Sequence, residues 1–211
     1  MRLTLPPGAF SKQDASDDAL FYRPVRMVTH VDDAALAALT AHYRTRLAPG
    51  ADVLDLMSSW VSHLPADLVL GRVTGHGMNA EELAANVRLD AWFVQDLNRD
   101  PELPLEDGSQ DAVLVCAGVQ YLQLPVEIFT EVARVLRPRG RVIVSYADRC
   151  FPSKAIAAWL ALDMAGRAAL VRHYLDAAGL AEAGVTVLAD GRAGDALVAV
   201  EGARRDQRTA S

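Results

Sequence analysis

Apolar and polar positions follow two rhythms along the chain. Leu36, Leu39, Tyr43 and Leu47 recur at three- and four-residue steps, the spacing of an amphipathic helix that starts at Asp32 or Asp33 and stops at Pro49-Gly50. Beyond residue 50 the apolar positions contract into short runs. Asp52–Met57, Arg72–His76, Ala91–Val94, Asp111–Ala117, Arg141–Tyr146, Val185–Leu188 and Ala196–Val200 read as strands. Helical patterns alternate with them: Ser58–Leu64, Ala80–Asn86 with Asn79 as its cap, Val126–Leu136, Ser153–Leu162, and Ala165–Ala177 closed by Gly179. Such alternation predicts an α/β fold with a doubly wound, mainly parallel seven-stranded sheet. Helices cover both faces, and the last strand, near Ala196–Val200, runs antiparallel. Ligands of such sheets bind beyond the carboxyl ends of the strands, at the point where strand order reverses.

Length and charge narrow the function classes. The chain's 211 residues suit one domain. Residues 1–48 are read as an N-terminal arm and cap helix, 49–202 as the α/β domain, and 203–211 as a disordered tail. A net charge of −6 leaves no basic surplus for phosphate contacts, so nucleic acid is not an expected partner. No stretch approaches ~18 uncharged apolar residues, so a membrane is not expected either, and the expected location is cytoplasmic. Two cysteines build no disulfide framework. The sequence carries no Gly-x-Ser-x-Gly elbow and no His-Glu-x-x-His, which leaves hydrolysis and metal chemistry without a motif. No metal ligand set is assigned.

Several ordered segments carry a family likeness. Val53-Leu54-Asp55-Leu56 forms a first strand with an acidic end. Leu103-Pro104-Leu105 and Gln110-Asp111-Ala112-Val113 lead into a fourth strand. The run from Glu131 to Val142, with Arg-Val-Leu-Arg-Pro at 134–138, supplies a helix, a turn and a fifth strand. In these segments the chain resembles the class I S-adenosylmethionine (SAM) methyltransferases of the small-molecule, type 11 kind, over residues 50–201. The resemblance implies a Rossmann-like fold, SAM as cofactor, and methyl transfer to a small molecule. Three positions depart from the pattern. The family's first loop reads Asp-x-Gly-x-Gly-x-Gly, whereas the glycine positions here hold Met57, Ser59 and Val61. The acidic residue ending the second strand falls on Gly77, and Arg139 stands where Gly is usual. The alternative to an enzyme is therefore a binding or structural protein that keeps the fold and has lost SAM.

The resemblance implies a cofactor set of Asp55, Met57, Ser58, Ser59, Gly77, Met78, Asn79, Asp96, Leu97 and Gln120. Asp55, with the adjoining backbone, would hold the methionine portion, or else simply order a turn. Ser58 and Ser59 would offer amides and hydroxyls at a helix start, or act as plain N-caps. Gly77, Met78 and Asn79 fall at the ribose, with helix capping the other role for Asn79. Asp96 and Leu97 fall at the adenine, with a loop-turn cap the other role for Asp96. Gln120 and Tyr121 would face the sulfonium and the substrate, or Tyr121 packs under the next helix. Tyr22, His63, Tyr121 and Arg149 are the substrate-side candidates, and Trp60 is expected in the core.

Overall fold

The computed structural model describes residues 5–206. Its sheet contains β1 (Val53–Leu56), β2 (Val73–Gly77), β3 (Ala91–Val94), β4 (Gln110–Cys116), β5 (Leu136–Ala147), β6 (Ala181–Asp190) and β7 (Ala196–Ala203). The strand order is β3-β2-β1-β4-β5-β7-β6, with β7 antiparallel to both its neighbours and the first five strands parallel. The expected Rossmann-like α/β class and its antiparallel last strand are thus observed. Strand order reverses between β1 and β4, so a crevice opens beyond Leu56 and Cys116.

Period-two alternation sorts the strand side chains into two layers. Leu54, Leu56, Val113, Val115, Val142 and Val144 pack with helices α4 (Pro125–Val135) and α6 (Met164–Ala177). Val53, Ala112, Leu114 and Ile143 face the other way, onto Ala35, Leu39 and Tyr43 of α2 (Asp33–Arg46). Asp32 caps α2 by accepting from the Ala35 amide (2.9 Å), and Asn79 caps α3 (Ala80–Ala85), as their side chains predict. Gly179, at φ 78°, ends α6 in the left-handed conformation that glycine favours.

The N-terminal arm lies along the domain as an extended strap. Ala158 and Ala157 amides donate to the Ala9 and Ser11 carbonyls (2.8 and 2.9 Å), and the Asp14 amide donates to Ser153 (2.9 Å). Beneath the strap the Lys154 ammonium is fully buried, 3.0 Å from Asp14 Oδ2, 3.2 Å from Asp18 Oδ1 and 2.9 Å from the Ser16 carbonyl. Lys12 pairs with the other Asp18 oxygen. The strap then forms α1 (Asp18–Tyr22), and residues 23–31 run across the carboxyl end of the sheet.

Some local expectations need correction. No helix forms over Ser58–Leu64, and the helix expected at Ser153–Leu162 shortens to α5 (Ala157–Leu160). The segment before α5 gives its backbone groups to the strap instead. Residues 203 and 204, expected in the tail, are ordered into the sheet: β7 includes Ala203, and the Arg204 amide donates to the Gly140 carbonyl (2.8 Å). The final residues, 207–211, lie outside the described part. Pro138-Arg139-Gly140, expected as a turn before a strand, bulges within β5, whose register to β4 jumps from Leu136 to Arg141.

Arg139 adopts φ 68° in that bulge, where the resembling family has Gly. Its side chain is 80% exposed, with only a surface ion pair to Asp206. Arg139→Gly should therefore stabilise the fold by about 1 kcal/mol, because a side chain strains a left-handed backbone and little packing is lost. Urea denaturation checks this: an unchanged or lower midpoint contradicts it.

Candidate active site

The chain leaves β1 through Asp55 and Leu56 and crosses the end of β2. Met57 takes φ 60°, the left-handed backbone usually reserved for glycine. Its amide donates to His76 Nδ1 (3.1 Å), and the Ser58 amide donates to the His76 carbonyl (2.6 Å). His76 Nε2 lies 3.0 Å from the Gln95 carbonyl, so its proton sits there and Nδ1 accepts. Burial pushes this imidazole down to about 4, so it is neutral near pH 7. Both ring nitrogens are committed, which makes His76 a strut between loops and leaves it no base role.

The loop after Met57 is irregular because its serines bond elsewhere. Ser58 Oγ donates to Asp55 Oδ2 (2.6 Å), and Ser59 Oγ donates to Glu82 Oε2 (2.6 Å). The buried Asn86 amide donates to Ser62 Oγ (2.8 Å) and to the Ser59 carbonyl (2.9 Å). Thr40 Oγ1 donates to the carbonyl of His63, itself at φ 51°. Ser58 and Ser59 therefore do not begin a helix, and the Ser58 amide is spent on the His76 carbonyl. Trp60 is half-buried and outside the core; its indole N–H reaches the Val28 carbonyl (3.1 Å) and ties this loop to the strap.

Asp55 is buried at 3% exposure. Desolvation raises its carboxyl from the ordinary 3.8 to about 6, against the lowering effect of the Ser58 and Ser62 hydroxyls. The folded form thus binds a proton that the unfolded chain releases between those values. Stability should rise by about 2–3 kcal/mol as pH falls from 7 toward 4, with other carboxylates superimposed. Asp55→Asn should remove this component, and a variant with the wild-type pH slope between pH 5 and 7 contradicts the assignment.

The other strand ends complete the crevice. Gly77 is buried at the end of β2, where a Cβ would meet the Ser58 carbonyl at 2.5 Å. Asn79 spends both ends of its amide: Oδ1 caps α3, and Nδ2 donates to the carbonyls of Tyr22 (3.0 Å) and Arg23 (3.1 Å). Asp96 follows β3, and one of its oxygens accepts from the Asn98 amide (3.0 Å) in a tight turn. Its carboxyl is raised, chiefly by desolvation. After β4, Ala117 again takes a positive φ, 51°, and a Cβ on Gly118 would meet Met57 Cβ and Sδ at 2.8 Å. Gln120 is buried; its Nε2 donates to Ala117 (2.8 Å), and its Oε1 has no partner among the described residues.

These strand ends enclose a cavity of about 460 Å³, a volume suited to a small ligand. Every residue read from the sequence as cofactor- or substrate-facing lines it. So do three of the four non-glycine residues with positive φ among those described, Met57, His63 and Ala117. Strain of this sort gathers where the surrounding structure over-determines a functional loop.

The comparisons agree with this geometry. The methyltransferase domain family matches residues 58–144, starting just after Met57. The malonyl-[acyl-carrier protein] O-methyltransferase of Hahella chejuensis is 36% identical over 97 residues, covering 46% of this chain. The matched part is only 33% of that longer protein. Over residues 58–144 the chain is similar to the methyltransferase domain family. Among solved structures, the Haloferax volcanii complex of the Trm112 methyltransferase activator with a putative methyltransferase superposes with TM-score 0.62 at 21% identity, covering 81% of this chain and 90% of that one. The [4+2]-cyclase SpnF superposes with TM-score 0.60 at 16% identity, covering 79% and 80%. These two likenesses concern the fold alone.

The far end of the cavity is built by the strap and by residues 149–151. Tyr121 OH accepts from the Phe151 amide (2.9 Å), and the two rings stack with centroids 6.1 Å apart. Tyr121 is thus a buried strut as well as a lining residue. Tyr22 also lines this end, and burial pushes its phenol far above the ordinary range. Arg149 is 68% exposed and pairs with Asp195, so its charge is largely committed. His63 is lowered by burial. Sequence reasoning missed Glu82, Asn98 and Arg26. Glu82 accepts from Ser59 and from the Arg26 amide (2.8 Å), while Asn98 donates to Asp18 Oδ2 (3.1 Å) and the Tyr121 carbonyl (3.0 Å). Glu82 and Asn98 look like ordinary helix-start and turn residues in the sequence, and only their distant partners give them a role. Among the described residues no group of three or more His, Cys, Asp or Glu could hold a metal, and no helix is long and apolar enough to cross a membrane.

Proposed function

We propose that this chain is a methyltransferase that binds SAM in the cavity beyond β1–β4 and transfers the methyl group to a small molecule. The observation that carries this reading is the path of the altered loop. Met57 adopts the left-handed backbone that glycine favours, at a position where the resembling family has glycine, and its side chain is taken up against Gly118, so the cavity stays open. A loop that had merely collapsed into a packed turn would have filled the space with Met57 or Trp60.

The residues present suit SAM with a redistribution of roles. Asp55 and the backbone around Met57 lie where the methionine portion would be held. Asp96 faces the adenine end with one oxygen outside its turn bond. Buried acceptors normally have partners, so Gln120 Oε1 is suited to an N–H or cationic group of a ligand. Asn79 is withdrawn from the ribose by its cap and strap bonds, and no side chain at Gly77 replaces it. SAM supplies an already activated methyl group, so the protein's task is alignment and exclusion of water. The absence of an acid–base triad fits that task.

Asp96→Ala should weaken binding of S-adenosylhomocysteine, the demethylated product, by about 1–3 kcal/mol through a lost hydrogen bond. Calorimetry on the folded variant decides it, and unchanged affinity removes Asp96 from the site. Turnover of SAM in the presence of small-molecule acceptors tests the reaction itself.

A further inference from the structure

We infer that the strap end of the cavity is an anion-recognition subsite, with Arg26 as the group that holds a carboxylate or comparable anion of the acceptor molecule. This rests on the proposed methyl-transfer reading for what the anion belongs to, but not for the subsite itself.

The argument begins with the charges that face this end. Asp18 is neutralised by Lys12 and Lys154, Glu82 accepts from Ser59 and the Arg26 amide, and Arg149 is paired with Asp195. Arg26 differs from all of them. Its guanidinium donates only to two backbone carbonyls, Phe21 (2.8 Å) and Pro24 (3.3 Å), and no carboxylate pairs with it among the described residues. Those bonds occupy part of the donor fork and leave other N–H groups unassigned. A half-buried guanidinium without a counter-charge on the wall of a cavity is suited to an anion, and its planar fork matches a carboxylate in two-point contact.

The surroundings fix its position and suggest the shape of the ligand. The guanidinium carbon lies 4.7 Å from the Phe21 ring centroid and 5.9 Å from that of Phe151. Phe21 and His30 both meet Phe151 edge-on, at 5.2 and 5.0 Å, and Tyr121 stacks on it. Desolvation and then the Arg26 charge push His30 below its ordinary value, so near pH 7 it presents a neutral imidazole beside the cation. The subsite therefore joins one fixed positive charge to an aromatic wall. That pairing fits a small acid with a flat apolar body better than a sugar or a cation.

Phenylacetate and benzoate, with phenylacetamide and benzamide as neutral counterparts, are suitable probes. Ligand-observed NMR titration should be run on the full chain, alone and with S-adenosylhomocysteine. The acids are expected to bind at least about tenfold tighter than the amides, with competition from added salt. Arg26→Gln should abolish that preference and leave S-adenosylhomocysteine affinity within about twofold, and Arg26→Lys should retain part of it. Equal binding of acids and amides, or an Arg26→Gln variant with the wild-type preference, overturns the subsite. If S-adenosylhomocysteine binds and the acids do not, the subsite is wrong and the methyl-transfer reading stands. If the acids bind through Arg26 and S-adenosylhomocysteine does not, the subsite stands and the cofactor reading falls.

Discussion

Gly77→Asp, which restores the acidic residue that the resembling family carries at the end of β2, should weaken cofactor binding instead of improving it. The Cβ alone would stand 2.5 Å from the Ser58 carbonyl and 3.3 Å from a Leu83 methyl. A backbone oxygen cannot swing aside as a flexible side chain does, so the loop must move. Its anchors are short and numerous: the Met57 and Ser58 amides on His76, Ser58 Oγ on Asp55, and Asn86 on Ser59 and Ser62. Overpacking there should cost about 1–3 kcal/mol of stability. S-adenosylhomocysteine affinity should fall by about tenfold or more as the Met57 path is lost. Gly77→Ala separates the contributions, since it adds the clash without the charge and should show most of the loss. Affinity at or above wild type in either variant would mean that the loop yields freely, and that Gly77 is a vacancy in place of a fitted contact.

Lys154→Met should be the most destabilising single change to the contacts that hold the strap. The ammonium is fully buried against Asp14, Asp18 and the Ser16 carbonyl. Removing one member of a buried ion pair commonly costs about 3–5 kcal/mol, because the partner keeps its charge without compensation. Lys12 still pairs with Asp18, which puts the expected loss near the low end, about 3 kcal/mol. The strap should also detach, carrying Tyr22, Arg26 and His30 away from the cavity, so limited proteolysis should cut near residues 14–20 in the variant first. A denaturation midpoint within about 1 kcal/mol of wild type would show that the buried cluster holds the strap weakly.

The sheet was legible from the sequence because its strands are short, apolar and rich in branched side chains, as at Val113–Val115 and Val142–Val144. Caps were legible for the same local reason: Asp32 and Asn79 act on amides two to three residues away. The loop after β1 was not legible. Ser58 looks like a helix cap until Asp55 and His76 are seen to take its hydroxyl and amide. The partners that hold Ser59 and Ser62, Glu82 and Asn86, lie on and just beyond α3. Met57 was correctly singled out as a departure, but nothing local shows that it would take a glycine-like φ or that Gly118 would make room for it. Arg149 was read as a substrate-side candidate because Asp195, on another segment, could not be paired with it in advance. Arg26 went unread because its defining property is the lack of a carboxylate partner among the described residues, which only the fold displays.

The central claim, that the non-glycine loop still forms a SAM site, is tested most directly by isothermal titration of the folded wild-type chain with SAM and with S-adenosylhomocysteine. The expected result is saturable one-to-one binding of both below roughly millimolar concentration, about −4 kcal/mol or stronger, weakened by Asp96→Ala and by about tenfold or more in Gly77→Asp. A chain that is folded by circular dichroism and gives no saturable heat with either compound at that concentration would contradict it.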